Sequence, residues 1–327
     1  MRSTKLPSWS KRLLGLVPVP IPPNVFAVDE RRLRYARFGR PGVRFDLEDY
    51  QEVDLEHDLF ARGPLGGPLH DPERFRSVLV GMQGLIPETE TEASLILPDS
   101  WLRLAIVDGD ELPRSDSSRE KVLRWKLQRT VPFRVEELRI RGVDIDSGAR
   151  TGGESRVLLG FALETLLRQL EGVFEGRGIH LGFVCNESLA LLSGVQDALR
   201  DVALGAVVNI SAGGYSLTFL LRGEPILHRF KALPQLSGDH PPAGMVEKDL
   251  QLTNLYLREQ LPEATVGRIL LIGPSQLEAR WLEWLKNAFD LPVFAVRPEN
   301  VPLAHAGDGA PFQDIVTMLG AARQEMQ

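Results

Sequence analysis

The sequence predicts an α/β protein of two related lobes, with a small α+β domain inserted into the first lobe. Three observations predict this architecture. Each half of the chain opens with two strand-like segments around a turn, each half then alternates strands with helices, and a strand–helix–strand unit interrupts the first half. The chain has 327 residues, 43% of them hydrophobic, which is enough for two domains with a large core.

The first half begins with a predicted hairpin that pairs residues 25–28 with 33–38 across the charged turn 29–32. Asp71 and Pro72 have the residue types of an N-cap and a first helical position. We expect a helix after them and a strand at 94–97. The half resumes after the insertion with predicted strands at 157–161 and 179–184 and helices at 163–174 and 187–199.

The inserted unit starts at residue 101. A strand is predicted at 102–107, and Ser117 with Glu120 has the spacing of a capping box that opens a helix. A loop rich in Gly, Ser and Arg occupies 147–155. We assign residues 101–155 to the inserted domain, and residues 24–100 with 156–200 to the first lobe.

The second half opens with another predicted hairpin, 207–210 with 217–221 around a turn at 211–216. The remaining predicted elements are strands at 226–230, 268–272 and 293–296 and helices at 245–260, 277–289 and 312–323. Residues 201–327 therefore form the predicted second lobe.

Composition excludes several functional classes. The chain has 38 Lys and Arg against 44 Asp and Glu, a formal charge of -6, which argues against a non-specific nucleic-acid binder. Cys185 is the single cysteine, so no internal disulfide or thiolate metal cage can form, and we expect a reducing compartment. The six histidines show no zinc-binding spacing, and no metal site is predicted.

Residues 1–23 form a basic, proline-rich N-terminal tail. Trp9, Leu13, Leu16 and Val17 have the spacing of a short amphipathic helix, which could lie on an anionic membrane or dock on a partner. The alternative is a flexible tail, because two helical turns are marginal alone. The prolines break the apolar stretch, so a signal peptide is not expected, and no apolar run reaches the length of a membrane span.

Residues 125–138, with the sequence WKLQRTVPFRVEEL, resemble the corner that ends a helix of the inserted domain in the PilM family of type IV pilus assembly proteins. The order of the two hairpins and of the C-terminal strands and helix matches the same family over roughly residues 24 to 325. PilM proteins are relatives of FtsA with an actin-like fold, so the resemblance implies the duplicated, RNase H-like architecture of that fold.

The resemblance also implies a nucleotide cleft, in which two glycine-rich hairpins with an acidic residue each hold phosphates and metal. In the first hairpin Ala27 stands at the acidic position and Asp29 at the glycine position. In the second, Asn209 replaces the acidic residue, and Ser211 a glycine. The cleft residues that the resemblance implies are Ala27, Asp29, Asn209, Ser211, Gly213, Gly214 and Gly273. We expect a degenerate site with no catalytic residue and no cofactor, with ATP and Mg²⁺ as the disfavoured alternative.

By resemblance, the chain is expected to be a cytoplasmic scaffold at the inner face of the inner membrane, in a type IV pilus or type II secretion-like machine. Its partner would be the cytoplasmic N-terminal segment of a PilN-type protein, with other pilus assembly components as further partners. Arg124, Trp125, Phe133 and Arg134 are the predicted partner-binding residues. Two alternatives stay open: an active actin-fold ATPase using Gly213 and Gly214, and a membrane-tethered filament protein using the Trp9–Val17 helix.

Overall fold

The computed structural model describes residues 23–39, 44–84, 86–87, 90–110, 112–113, 115–132, 134–145, 155–211, 213–233, 243–262, 264–305 and 309–323. The chain divides into two compact units. The first comprises Met1–Gly194 with Pro302–Gln327, and the second Val195–Val301. The last helix therefore belongs to the first unit, whereas the sequence assigned residues 201–327 together to the second lobe.

The strands are β1 (Asn24–Val28), β2 (Arg32–Gly39), β3 (Phe45–Asp54), β4 (Glu92–Leu97), β5 (Arg103–Asp108), β6 (Leu138–Ile145), β7 (Arg156–Leu163), β8 (His180–Asn186), β9 (Leu204–Ser211), β10 (Gly214–Leu221), β11 (Glu224–Ala232), β12 (Arg268–Ile272), β13 (Val293–Ala295) and β14 (Leu303–His305). The helices are α1 (Pro72–Gln83), α2 (Asp116–Gln128), α3 (Glu164–Glu175), α4 (Glu187–Val195), α5 (Ala243–Gln260), α6 (Ser275–Phe289) and α7 (Phe312–Arg323). Short 3-10 turns occupy Val135–Glu137, Gln196–Leu199 and Pro298–Asn300.

A six-stranded sheet in the order β14-β3-β2-β1-β4-β8 forms the centre of the first unit. The predicted opening hairpin is confirmed, since β1 and β2 pair antiparallel with Val28 opposite Leu33. Strands β4 and β8 then continue parallel to β1. The prediction for α1 is also confirmed: the Asp71 carboxylate accepts hydrogen bonds from the backbone N–H groups of Glu73 and Arg74, and Pro72 follows the cap.

Two helices of the first unit cross with their backbones in contact. Gly320 of α7 lies against the Ala190 carbonyl oxygen and the Gly194 nitrogen of α4, and a Cβ at Gly320 would overlap both. Helix α7 also packs on β1, β2 and β4. The C-terminal segment is thereby held on the first sheet, far in sequence from the strands that it covers.

The inserted part is a three-stranded antiparallel sheet, β5-β7-β6, with α2 packed on it. The predicted capping box is wrong: α2 begins at Asp116 after Ser115, with no side-chain hydrogen bond at the cap. Ser117 and Glu120 lie inside the helix, where Glu120 accepts a hydrogen bond from Arg124 at 2.9 Å. Strand β7 pairs with both β5 and β6, so this sheet extends past the expected boundary at residue 155.

The second unit contains a five-stranded sheet in the order β11-β10-β9-β12-β13. Its opening hairpin is tighter than predicted, because β9 runs through Ser211 and β10 starts at Gly214. Helices α5 and α6 pack against each other. Trp281 and Trp284 of α6 are buried, and the ring centroids of Trp281 and Tyr215 are 4.8 Å apart.

None of the helices in the described part of the chain is long and apolar enough to cross a membrane. The predicted N-terminal helix of Trp9, Leu13, Leu16 and Val17 lies outside the described residues.

Candidate functional site

Polar side chains gather at the carboxyl edge of the first sheet. Strands β1, β4 and β8 are parallel neighbours, so their carboxyl ends lie at the same edge. Asp29 follows β1, Asp99 lies two residues beyond β4, and Glu187 follows β8. Ligands of open α/β sheets commonly bind at this edge, which makes it the candidate site of the first unit.

The carboxylate of Asp29 is used to close the β1–β2 turn. Its Oδ1 accepts hydrogen bonds from the backbone N–H groups of Arg31 at 2.8 Å and Arg32 at 3.0 Å. Its Oδ2 accepts one from the Nη2 of Arg34 at 2.9 Å. The Asp29 side chain therefore stabilises the β1–β2 hairpin, because it accepts hydrogen bonds from backbone N–H groups of its own turn.

Arg34 is the central cation of the site. It comes from β2, is only 5% exposed, and donates to the carboxylates of both Asp29 and Asp314. Burial by itself lowers the pKa of Arg34, but the neighbouring acidic groups, Asp314 and Asp29 foremost, together outweigh burial and raise it. The guanidinium is therefore a permanent positive charge that links the opening hairpin to the first turn of α7.

Asp99 joins the end of β4 to the start of α4. Its carboxylate accepts hydrogen bonds from the Nδ2 of Asn186 at 2.6 Å, the backbone N–H of Ser188 at 3.0 Å and the Ser188 hydroxyl at 2.6 Å. The Asn186 side chain in turn accepts from the backbone N–H of Leu189. Because all of these groups are buried, Asp99 has a structural role at the helix start.

Glu187 is an acid of this edge whose pKa is strongly raised by its surroundings. Burial, followed by the neighbouring Asp99 carboxylate, raises the pKa of Glu187 to about 8, while Arg34 opposes the shift. Its Oε2 atom is buried without a hydrogen-bond partner. Near neutral pH Glu187 can therefore hold or release a proton.

The charge balance of the edge is unfavourable for a polyphosphate. The carboxylates of Asp29 and Asp314 pair with the guanidinium of Arg34, and Asp99 is a third carboxylate at the same edge. Glu187 interacts with all four of these residues, but its raised pKa keeps it mostly protonated at neutral pH. A phosphate placed here would meet like charges at low dielectric. Among the described residues, no group of three or more Asp, Glu, His or Cys side chains is arranged to hold a metal ion.

The predicted cleft residues divide between the units. Ala27 is a buried residue of β1, opposite Arg34 on β2 and Ile96 on β4. Asp29 also belongs to the first unit, at the β1–β2 turn. The other five residues belong to the second unit, where Asn209 on β9 is buried and lies opposite Ile272 on β12, one residue before Gly273.

The conformations and packing of the second-unit glycines have local explanations. A Cβ at Gly214 would overlap the Lys231 carbonyl oxygen of β11, and a Cβ at Gly273 would lie 2.8 Å from the Cβ of Ile210. Gly213 accepts a backbone hydrogen bond from Leu233 at 3.2 Å. The Ser211 hydroxyl donates to the Gly214 carbonyl oxygen at 3.4 Å. Close packing of the hairpin against its own sheet accounts for Gly214 and Gly273.

The predicted partner-binding residues lie on and after α2. Leu123 and Leu127 of this helix are buried in the inserted core, whereas Trp125 is 54% exposed with the Arg129 guanidinium 5.2 Å from its ring centroid. Arg124 donates to the carbonyl oxygens of Val135 and Leu138 and so fastens α2 to the following turn.

The neighbouring residues of this surface are less constrained. The side chain of Arg134 is 85% exposed, with Glu137 at 3.8 Å. Phe133 lies outside the described residues.

Sequence reasoning missed Arg34, Glu187 and Asp314. One signal was present, because Arg34 interrupts a strand whose neighbours Leu33, Tyr35 and Ala36 are apolar or aromatic and buried. No local pattern points to Asp314, which lies 280 residues from Arg34 in the chain.

The two sheets and their helices define a protein of the actin-like fold, and the predicted fold class is confirmed by solved structures. The structure of a PilM–PilN type IV pilus biogenesis complex matches with a TM-score of 0.71 and 14% sequence identity, over 94% of this chain and 99% of that one. A Bacteroides thetaiotaomicron protein with an actin-like ATPase fold and unknown function matches with a TM-score of 0.52 and 11% identity, over 90% and 95% of the two chains. No protein-family model and no curated protein matches the sequence.

Proposed function

We propose that this chain is a PilM-like scaffold of a type IV pilus or type II secretion-like machine. It binds the cytoplasmic N-terminal segment of a PilN-type inner-membrane protein, at the inner face of that membrane. Its nucleotide cleft is degenerate, so it turns over no ATP. The observation that carries the proposal is the match to a PilM–PilN complex structure over nearly the full length of both chains.

The loss of nucleotide chemistry is supported by the ion pairs of Arg34. At the end of β1, where the resemblance places a phosphate-binding turn, Asp29 is committed to its own backbone and to Arg34. An arginine already neutralises this carboxylate, and Asp314 holds the other side of the guanidinium. Mg²⁺ and triphosphate would have to compete with these ion pairs, and leaving the buried Asp314 without Arg34 costs about 3 to 5 kcal/mol.

The partner surface is supported by Trp125. A half-exposed tryptophan under an arginine is a rigid, amphipathic contact of the kind that dominates protein interfaces. Trp125 lies two residues from both Leu123 and Leu127, which places it on the helix side opposite the buried residues. Arg124 positions the helix, and Trp125 and Arg134 are left to contact the partner.

The proposal is tested by calorimetric titration of the full chain with a synthetic peptide of the PilN-type N-terminal segment from the same organism. We expect saturable binding that Trp125→Ala weakens about tenfold or more, which corresponds to about 1.4 kcal/mol. Phe294→Ala is the matched control, since Phe294 is a similarly exposed aromatic residue of the second unit. The Phe294→Ala variant should bind the peptide with the same affinity as the unmodified chain.

A parallel titration with ATP and Mg²⁺ tests the degenerate cleft. We expect no saturation below millimolar nucleotide. Sub-micromolar, metal-dependent affinity would refute this part of the proposal and favour the active ATPase. Absence of peptide binding, or equal affinity of the Trp125→Ala variant, would refute the partner surface.

A further inference from the structure

Helix α5 of the second unit carries an apolar stripe on its solvent side. Leu252, Leu255 and Tyr256 are 51%, 54% and 45% exposed, although the opposite side of the helix is buried through residues such as Leu250 and Leu257. Spacings of three and four residues place the three exposed side chains on one face. Large apolar side chains clustered on a solvent-exposed helix face mark a contact surface.

Charged residues of opposite sign flank the stripe. Lys248 lies four residues before Leu252, and Glu259 lies four residues after Leu255, so both are on the same face. Both are exposed. Neither has an ion-pair partner within the part of the chain that the structure describes.

The stripe is complementary to itself when two copies run antiparallel. The midpoint between Leu252 and Leu255 is also the midpoint between Lys248 and Glu259. A two-fold axis through this point places Leu252 opposite Leu255 of a second copy and Lys248 opposite its Glu259. The charged positions are separated by about 16 Å along the helix, so one such pair forms on each side of the axis.

We propose that α5 is the interface of a symmetric homodimer, in which the stripe of Leu252, Leu255 and Tyr256 packs against its own copy. A closed two-fold contact requires one patch that matches itself, and the arrangement of leucines and charges on α5 meets that requirement. The contact involves one helix face and three large apolar side chains of each copy, so we expect a weak dimer with a dissociation constant on the order of micromolar. This contact is separate from the partner surface on α2, and it goes beyond the proposed scaffold function.

The test is sedimentation velocity of the full chain from about 1 to 100 µM, where a micromolar dimer changes from mostly dissociated to mostly associated. Lys248→Glu alone places two glutamates opposite each other, and Glu259→Lys alone places two lysines opposite each other. The two-fold axis repeats each repulsive pair on its other side, so each single variant should weaken dimerisation at least tenfold. The double variant restores both pairs in reversed orientation and should return to within about threefold of the unmodified chain.

Leu255→Ser tests the apolar contact, and we expect a monomer at all concentrations. Val80→Ser is its control, because Val80 is an exposed apolar residue of α1 in the first unit. Far-UV circular dichroism and Tm confirm that each variant is folded. The proposal is overturned if the full chain is monomeric throughout, if Leu255→Ser still dimerises, or if the double charge reversal does not restore what either single reversal removed.

Discussion

Replacing Arg34 by methionine tests the charge arrangement at the carboxyl edge of the first sheet. Methionine keeps much of the side-chain length but removes the charge and the hydrogen bonds to Asp29 and Asp314. Asp314 loses its closest cation in a site where its side chain is only 10% exposed, while Arg32 stays 3.7 Å away and 34% exposed. Asp29 keeps its two backbone donors. The main cost is therefore the buried, poorly compensated charge of Asp314.

Removing one partner of a buried ion pair costs about 3 to 5 kcal/mol of unfolding free energy. For a domain of roughly 200 residues, each kcal/mol lowers Tm by about 2 to 4 °C, so the first unit should melt roughly 6 to 20 °C lower. The assay is thermal and urea unfolding followed by far-UV circular dichroism at pH 7. Adding Asp314→Asn to Arg34→Met should recover at least about 1 kcal/mol, because it removes the unpaired carboxylate.

Arg168→Met is the matched control in the same unit. Arg168 pairs with Glu164 at 2.5 Å, but its side chain is 75% exposed, so its loss should cost about 1 kcal/mol or less. If Arg34→Met is no more destabilising than Arg168→Met, Arg34 does not hold the hairpin to α7, and the reasoning about the occupied edge fails.

Two further predictions concern the same unit. The pKa of Glu187, about 8 when folded, lies above its unfolded value of about 4.3, so this residue's contribution to stability is complete below pH 4 and is lost as pH rises towards 8. From pH 5 to pH 8 the unfolding free energy of Glu187→Gln should therefore rise relative to that of the unmodified chain, by on the order of 1 kcal/mol or more. Urea titrations at several pH values measure this difference. Unfolding free energies of the two proteins that change in parallel with pH would contradict the prediction. Gly320→Ala should lower Tm sharply, because the new Cβ overlaps the Ala190 backbone of α4. Gly81→Ala on α1 is the control: its new Cβ meets no atom within 4 Å, and it should stabilise the protein by about 0.5 to 1 kcal/mol. Equal effects of the two alanines on Tm would refute the close crossing of α4 and α7.

Local sequence patterns predicted the elements whose signals are carried by neighbouring residues. The hairpin of β1 and β2 follows from apolar runs on both sides of a charged turn, and the start of α1 follows from Asp71 and Pro72. Both signals act within a few residues, so they are readable without knowledge of the fold. The strand at 268–272 and the helix at 312–323 were located for the same reason.

Strands whose stability comes from their partners were missed. The sequence of β3 is dominated by charged and polar residues, and its strand conformation depends on pairing with β2, including the Arg37–Glu48 contact at 2.9 Å and the Arg32–Glu52 contact at 3.0 Å. Strand β14 is three residues long and exists as a neighbour of β3. Cross-strand contacts of this kind cannot be recognised from one segment alone.

The sequence by itself determined the α/β class, the two opening hairpins and the residues of the β1–β2 turn, because these depend on backbone preferences and on the spacing of apolar side chains. Only the tertiary structure decided what the turn does. It brings Asp314 from the far end of the chain to Arg34, buries both, and uses Asp29 to complete the ion pairs. Long-range electrostatics in a buried site depend on distances and dielectric environment, which are set when the helices pack on the sheet and are absent from any local pattern.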